Sequence, residues 1–426
     1  MDLLTSAAIT NRVTFSQVLR NRRFFALWLA RFISSVGDWL ALLPLFSLIA
    51  FRRHGSAPES AMVMVSFIVP VILLGPIAGV FVDRSSLKRI LIICDVVSAV
   101  LAALLAFSGQ LYEMYLLMAG LSAVTCFLTP AQTAALPLIV PENELLVAHS
   151  LNVQMLQLNQ IFAPAVVGVV VVWLGERTCF FLDSASFLFS ALLVSVVRIP
   201  LREITSPVAR KSIWRELKDG LRFIATHPVA RILVLTIAIA NGAVAIFEAL
   251  FAVYIRDVLG GGSRMFGSVT SALGIGTILG TLAVARFGQQ MPRTRIIHAG
   301  FLVQGISVLA LGVFTWPATT LAASAGLGIG AAFVFLSAQT FALEEVPSAM
   351  LGRVTSTATS IFAVVQLGAF ISSGFLVNWL GFRNLCYAAV LLLVVTAIAA
   401  HFCVRDREAR MSHRESTAEA GTSAGG

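Results

Sequence analysis

The stretch GPIAGVFVDRSSLKR, residues 75–89, connects two long apolar runs through a short charged turn. Gly75 and Gly79 lie four residues apart, on one face of a helix, where small residues allow a second helix to approach closely in lipid. The charged residues of the turn are Asp83, Arg84, Lys88 and Arg89. Because charged groups are tolerated at a membrane surface, we predict a tight basic turn between two membrane-spanning helices.

The composition of the whole chain places it in a lipid bilayer. Of the 426 residues, 58% are hydrophobic and 12% are charged, and the mean hydropathy is +0.91. The apolar residues form long runs with few charges, and about 20 such residues are needed to cross a hydrocarbon core of ~30 Å. We therefore predict an all-α integral membrane protein.

Polar segments divide the chain into five parts. Residues 1–23 form a polar, basic segment, and residues 24–197 contain six apolar runs. A basic linker at residues 198–231 is followed by six further apolar runs at residues 232–404. The remainder, residues 405–426, is polar and is expected to be a disordered cytoplasmic tail. The sequence thus predicts twelve transmembrane helices in two six-helix halves.

The central linker contains a periodic apolar pattern between its charged residues. The apolar positions are Trp214, Leu217, Leu221 and Ile224. Their helical spacing predicts a short helix in the headgroup region between Pro207 and Pro228. A solvated linker without this helix is the alternative.

A repeated motif relates the two halves. AQTAALPLIVP at residues 131–141 and AQTFALEEVP at residues 338–347 lie at the end of the fourth span of each half. An offset that differs from this one by a single residue brings Gly168 onto Gly374. Two halves in the same orientation are parallel repeats, which place a substrate site at their interface near the middle of the membrane.

The distribution of basic residues predicts the orientation. With both termini in the cytoplasm, most of the 30 Lys and Arg residues lie in cytoplasmic segments, as the positive-inside rule requires. Arg52 and Arg53, in the first external loop, are the main exception. We therefore expect both termini on the cytoplasmic side of a bacterial cytoplasmic membrane.

The turn at residues 75–89 resembles the loop between helices two and three of the major facilitator superfamily, usually written GxLADRxGRK. The match is carried by Gly79, Asp83, Arg84 and Lys88. Ser86 replaces the second glycine of the motif and Leu87 its first basic residue. The resemblance implies the major facilitator fold, with two parallel six-helix pseudo-repeats and transport by alternating access.

Longer stretches resemble a narrower group, the bacterial drug:proton antiporters and enterobactin exporters. These stretches are RFISSVGDWL, PAQTAALPLIVPENELLVAHSLN, DGLRFIATHPVAR and LGRVTSTATS. The resemblance implies proton-coupled efflux of hydrophobic or amphipathic small molecules by a protein that we expect to be a monomer. A siderophore or lysophospholipid transporter of the same fold is the alternative, and a non-transporting receptor or scaffold is a more remote one.

Other classes of function lack their motifs. The sequence has no GxxxxGK[ST] nucleotide loop, no HExxH metal motif and no serine-elbow pattern. The net charge of +9 comes from short connections between spans and not from one face of a folded domain, which argues against nucleic acid. We predict that the protein is not an enzyme and needs no metal or cofactor.

The charged turn is the predicted gate of the transporter. The gating residues are Gly79, Asp83, Arg84, Lys88 and Arg89. In the superfamily, the loop aspartate stabilises the outward-facing state by holding the two halves together on the cytoplasmic side. We expect Asp83 to dock near Ser348 and Arg353, at the beginning of helix eleven.

Two intramembrane carboxylates are the predicted proton-coupling residues. Asp38 lies near the middle of helix one, and Glu248 lies in helix seven, its repeat partner. Arg31 and Asn241 each precede one of these carboxylates by seven residues, which places a polar pair on one helix face in each half. The alternative for Asp38 is that it only neutralises Arg31.

Further polar residues complete the predicted substrate cavity. Its residues are Arg31, Asn241, Gln154 and Gln157. For the two glutamines, a hydrogen bond to a neighbouring helix is the equal alternative. Asp95 and Asp183 are interpreted as structural: Asp95 is expected to pair with the basic turn, and Asp183 to cap helix six near Arg177 or stay hydrated.

Overall fold

The computed structural model describes residues 14–83, 85–200, 213–288, 291–346 and 348–423, and these residues contain helices and no strands. The helices before the linker are α1 (Phe15–Arg20), α2 (Arg22–Ser47), α3 (Ala57–Asp83), α4 (Leu87–Phe107), α5 (Leu111–Ile139), α6 (Leu145–Leu174) and α7 (Glu176–Val196). The linker helix and those after it are α8 (Ile213–Thr226), α9 (Pro228–Asp257), α10 (Ser263–Phe287), α11 (Arg293–Val313), α12 (Pro317–Glu345) and α13 (Ser348–Ser423). The predicted all-α class is confirmed.

Local sequence signals set several helix ends. Gln110 and Glu113 form a reciprocal capping box at the beginning of α5. Pro228 occupies the first turn of α9, where its missing N–H costs no helical hydrogen bond. Gly175 separates α6 from α7 with a φ of 77°, a conformation that favours glycine.

The number of candidate spans agrees with the predicted topology. Within the described residues, eleven helical runs are long and apolar enough to cross a membrane. The longest, Arg353–Ile398, lies in α13 and contains Gly381, whose φ of 76° and ψ of 159° are not helical. Because α13 is therefore two helices joined at a kink, the runs correspond to twelve spans.

The chain forms two compact units. The first consists of Met1–Pro44, Val69–Ala163 and Gly175–Pro207, and the second of Leu45–Ile68, Pro164–Leu174 and Val208–Gly426. In the first unit, a buried cluster joins α2, α4 and α5 through Phe24, Leu91, Leu128, Ala131 and Ala135. The AQT motif of the first half thus begins in the core of this unit.

The second unit contains closely packed α-helices. A side chain at Gly276 of α10 would overlap the carbonyl group of Ala325 on α12, so these two backbones are in direct contact. By contrast, a methyl group on Gly75 or Gly79 would meet no described atom within 4 Å. The close helix approach expected at these two glycines is therefore wrong for the described structure.

The linker contains the helix that its apolar pattern predicted. In α8, Ile224 is buried in a cluster with Val234 and Val354, whereas Leu221 is exposed. Gly220 lies against the backbone of Arg353, so α8 packs closely on α13. The helix therefore uses one apolar face for contact within the second unit.

Candidate functional site

The site begins with two charged residues on α2. Arg31 and Asp38 are seven residues apart, about two helical turns, which places them on the same side of the helix. Arg31 is only 7% exposed, and its NH1 group has no hydrogen-bond partner among the described residues. Asp38 is half-buried and interacts electrostatically with Arg31 without forming a direct ion pair. Arg31 and Asp38 therefore interact at a distance, and the buried NH1 donor of Arg31 has no partner among the described residues.

Asp183 reaches the same region from α7. Its carboxylate lies against Gly37, where a β-carbon would overlap both Asp183 Oδ1 and Ser186 Oγ. Asp183 is 0% exposed; the Ser186 hydroxyl lies beside its carboxylate but donates to the carbonyl oxygen of Asp183 at 2.7 Å, so neither carboxylate oxygen has a well-formed hydrogen bond among the described residues. Asp183 also interacts electrostatically with Asp38. The expected role as a hydrated or capping residue at the end of a helix is therefore wrong, because the glycine next to Asp38 lets this carboxylate enter the helix interface.

Asp95 brings a third carboxylate from α4. The hydroxyl of Ser190 on α7 donates a hydrogen bond of 2.6 Å to Asp95 Oδ2, and Asp95 Oδ1 is buried without a described partner. The expected pairing of Asp95 with the basic turn is wrong. Lys88 instead donates to the carbonyl oxygen of Ser195 at 2.6 Å, and Arg89 is exposed.

These contacts assemble four charged groups where α2, α4 and α7 meet. We call Arg31, Asp38, Asp95 and Asp183 the carboxylate cluster. Asp95 interacts electrostatically with both Arg31 and Asp38, which connects the cluster across the three helices. Sequence reasoning selected the two members on α2 but treated the others as structural, because no linear pattern shows which helices pack together.

A small pocket lies next to Arg31 in the same unit. It is lined by Phe24, Leu27, Trp28, Arg31, Gln132, Leu136 and Asn152. Gln132 belongs to the AQT motif and Asn152 to α6, so three helices contribute polar groups to a mainly apolar wall. Sequence reasoning missed Gln132 and Asn152. The repeated AQT motif is the sequence feature that could have identified Gln132 as a candidate.

The polar stretch of α6 divides between exposed and buried residues. Gln154 is exposed and Gln157 is half-buried. Asn159 is buried and donates to the carbonyl oxygen of Phe32 and to Ser35 Oγ on α2. A hydrogen bond between neighbouring helices, one of the two predicted roles for this stretch, is therefore made by Asn159.

Glu248 and Asn241 lie in the second unit, on α9. Glu248 is exposed on its helix, between the buried residues Phe247 and Ala249, and Asn241 is half-buried. No charged side chain of the described part of this unit interacts with Glu248. The two predicted coupling carboxylates therefore have different surroundings: Asp38 belongs to a cluster and Glu248 does not.

The sequence and the fold agree with known proteins. The sequence profile of the transmembrane secretion effector family, part of the major facilitator superfamily, matches residues 14–421. The chain belongs to this family. It is therefore a membrane transporter and not an enzyme.

Individual relatives match along most of the transporter. It is 25% identical over 382 residues to the uncharacterised MFS-type transporter YfiS of Bacillus subtilis, covering 85% of this chain and 89% of that protein. It is 23% identical over 383 residues to macrolide efflux protein A of Streptococcus pyogenes, covering 88% and 94%. The crystal structure of a bacterial homologue of the lysosomal transporter Spinster, inward-facing and unoccupied, matches with a TM-score of 0.69 and 14% identity, covering 92% of this chain and 97% of that one. This likeness confirms the major facilitator fold.

The predicted gate of the transporter is described only in part. Gly79 and Lys88 are half-buried, but the side chain of Asp83 and all of Arg84 lie outside the described residues, as does the side chain of Ser348. Arg353, the other expected docking residue, forms an ion pair of 3.3 Å with Asp219 of α8. The linker helix therefore occupies one of the positions at which Asp83 was expected to dock.

The second unit of the transporter contains a contact between parts of the two predicted halves. Gly168 of α6 lies so close to α10 that a methyl group there would overlap the carbonyl oxygen of Gly267. Ser271 donates a hydrogen bond of 3.1 Å to the carbonyl oxygen of Ala165. We call this contact between α6 and α10 the small-residue seam.

An arginine on α9 forms a second link of this kind. Arg256 NH1 lies 2.7 Å from the carbonyl oxygens of both Ala50 and Gly55. These oxygens follow α2, where terminal carbonyl groups lack helical partners and a cation is favourable. The guanidinium also pairs with the adjacent Asp257. Arg256 therefore connects the end of the first span to α9.

Proposed function

We propose that the protein is a proton-coupled efflux transporter for hydrophobic or amphipathic small molecules. The family and the macrolide efflux protein among its relatives support export. The observation that carries the proposal is the buried Arg31 two turns before the half-buried Asp38 on α2, with a guanidinium NH1 that has no described partner beside a pocket. Ionisable residues within a membrane are costly and mark substrate or proton pathways.

The pocket next to Arg31 favours a substrate with both apolar and polar groups. Phe24, Trp28 and Leu136 supply apolar surface, while Arg31 NH1 offers a donor to a carbonyl or hydroxyl oxygen of the ligand. A positive charge on the same ligand is favourable beside Asp38. We therefore propose an amphipathic cation that carries oxygen acceptors as the substrate class, with the space beside Arg31, which has room for about one water molecule in this structure, widening during the cycle.

We further propose that Asp38 and Glu248 respond to protons, with Arg31, Asn241, Gln154 and Gln157 facing the substrate during the cycle. A carboxylate in an apolar setting binds a proton more readily than in water, and a nearby cation opposes that binding. Arrival of a cationic substrate then releases the proton. This exchange is the coupling that an antiporter requires.

Alternating access requires that each side of the membrane close in turn. In our proposal, the turn with Gly79, Asp83 and Arg84 closes the cytoplasmic side. The small-residue seam and the Arg256 link close the other side, where the Arg256 contacts join the end of α2 to α9. Both termini are cytoplasmic in this scheme, within a bacterial cytoplasmic membrane.

The direct test is flux in proteoliposomes across an imposed pH gradient. The substrates are a lipophilic cation, a macrolide, a catecholate siderophore and a lysophospholipid. We expect the cation or the macrolide to accumulate in vesicles with an acidic interior and not in vesicles without a gradient. Transport of only the siderophore or only the lysophospholipid would support the alternative substrate class. Binding of these ligands without any flux would support a receptor or scaffold.

A further inference from the structure

The three carboxylates of the cluster raise a question that the proposed function leaves open, because only Asp38 has a role in it. Asp95 and Asp183 are 1% and 0% exposed, and neither contacts a basic residue through a hydrogen bond in the described structure. A structural carboxylate in a helix interface normally has donors for both oxygens, since burying an unpaired charge is costly. Another role is therefore indicated.

We propose that Asp38, Asp95 and Asp183 bind the transported protons as one cluster, and that Asp95 and Asp183 are proton-binding residues in their own right. This inference rests on the proposed proton coupling and extends it. It transfers the coupling site from one residue on α2 to the junction of α2, α4 and α7.

The hydrogen-bond inventory of the cluster supports a proton as its ligand. Asp95 Oδ1 and both oxygens of Asp183 are buried without a well-formed hydrogen bond among the described residues, and the Ser186 hydroxyl near Asp183 donates to a backbone oxygen instead. A protonated carboxyl group has lost its charge and gained an O–H donor, so its burial no longer leaves an unpaired charge in the helix interface. Protonation thus removes the unpaired charge and supplies a donor in the same step.

The charges of the cluster lead to the same conclusion. Arg31 offsets one of the three carboxylates, so the remaining two need either cations or protons. No group of three or more His, Cys, Asp or Glu among the described residues is arranged to hold a metal ion. Among the residues that the structure describes, the thiol of Cys94, beside Asp95 on α4, also interacts with the cluster. Protons are the ligands that neutralise this site without a coordination shell.

The position of Arg31 connects the cluster to the substrate. Its side chain lines the pocket with Gln132 and Asn152, and it interacts electrostatically with Asp38 and Asp95. Asp38, in turn, interacts with Asp183. A cation that binds beside Asp38 therefore favours the ionised form of all three carboxylates. Asp95 or Asp183 then releases its proton.

The test is the number of protons released when the purified protein binds tetraphenylphosphonium in weakly buffered detergent solution with a pH indicator. We expect Asp95→Asn and Asp183→Asn each to reduce the protons released per bound cation by roughly twofold or more, while binding persists. Each variant should also keep downhill substrate exchange and lose pH-gradient-driven flux. Glu142→Gln, which removes an exposed carboxylate of the same unit, should match the wild type.

Two failures are distinguishable. A wild type that binds the cation but releases no proton and ignores the pH gradient would overturn the proposed coupling and this inference together. A wild type that releases protons, with Asp95→Asn and Asp183→Asn variants that release just as many, would overturn only the cluster.

A measurement on the wild type tests the inference even if the Asp95→Asn and Asp183→Asn variants do not fold. Infrared difference spectra between the substrate-free and substrate-bound protein should show loss of the carbonyl band of a protonated carboxylic acid. The band should be larger than the one that remains in Asp38→Asn. No band in the wild type would contradict the inference, because a proton-loaded cluster must contain the acid form.

Discussion

The first unit concentrates charged groups, whereas the second concentrates close backbone contacts. Three carboxylates and Arg31 meet between α2, α4 and α7, but Glu248 on α9 has no charged neighbour in the described part of its unit. In the second unit, α10 instead approaches α6 and α12 at glycines. The two units thus carry different physical tasks, and we expect the first unit to supply coupling and the second to supply closure.

Arg31→Met should produce the largest effect, because Arg31 is the cation within the carboxylate cluster. Removing one member of a buried charged group typically costs about 3–5 kcal/mol, since the others remain buried without compensation. We expect a lower melting temperature in detergent and loss of pH-gradient-driven flux. Arg264→Met, at an exposed arginine of the second unit, is the control. A stable and fully coupled Arg31→Met protein would show that the cluster needs no cation.

Gly168→Ala tests the closure assigned to the second unit. The added methyl group overlaps a backbone oxygen of Gly267, which cannot move aside like a flexible side chain. Overpacking of this kind costs about 1–3 kcal/mol, and we expect the upper part of that range. The rate of substrate exchange should fall, while the protons released per bound cation stay unchanged.

Gly75→Ala is the matched control for this variant, because a methyl group at Gly75 meets no described atom within 4 Å. Equal exchange rates in the two alanine variants would remove the small-residue seam from the transport cycle.

Gly37→Ala tests how closely α2 and α7 must approach within the first unit. Its methyl group overlaps Asp183 Oδ1 and Ser186 Oγ, which are ends of side chains and can rotate. We therefore expect a smaller cost in stability, about 1 kcal/mol, but a clear loss of proton release because Asp183 is displaced. Gly305→Ala, at a helical glycine with no described atom within reach, should behave as wild type. Normal proton release by Gly37→Ala would argue that the position of Asp183 is unimportant.

Asp219→Asn should have the smallest effect. Its ion pair with Arg353 is partly exposed, and pairs of this kind contribute about 0.2–1 kcal/mol. We expect a small, salt-sensitive decrease in melting temperature, because exposed charges are screened at high ionic strength. A large decrease at every salt concentration would indicate that α8 holds the second unit together more strongly than this one contact suggests.

Most of the fold followed from the sequence, whereas most of the site did not. Runs of about 20 apolar residues predict spans because the thickness of the bilayer fixes their length. Periodicity likewise found α8. The meeting of Asp95 and Asp183 with Asp38 depends on which helices pack together and on the absence of a side chain at Gly37, and neither is visible in a linear pattern. Asp38 and Arg31 were found because they lie on one helix, where spacing alone predicts a shared face.

Proton coupling by the two carboxylates is tested by comparing the pH-gradient-driven flux of Asp38→Asn with that of Glu248→Gln, each against its own downhill substrate exchange. We expect both variants to keep exchange and lose proton-driven flux, with the greater loss in Asp38→Asn because Asp38 belongs to the carboxylate cluster. If both variants keep the full pH-gradient-driven flux of the wild type, the carboxylates are structural and the proposed coupling is contradicted.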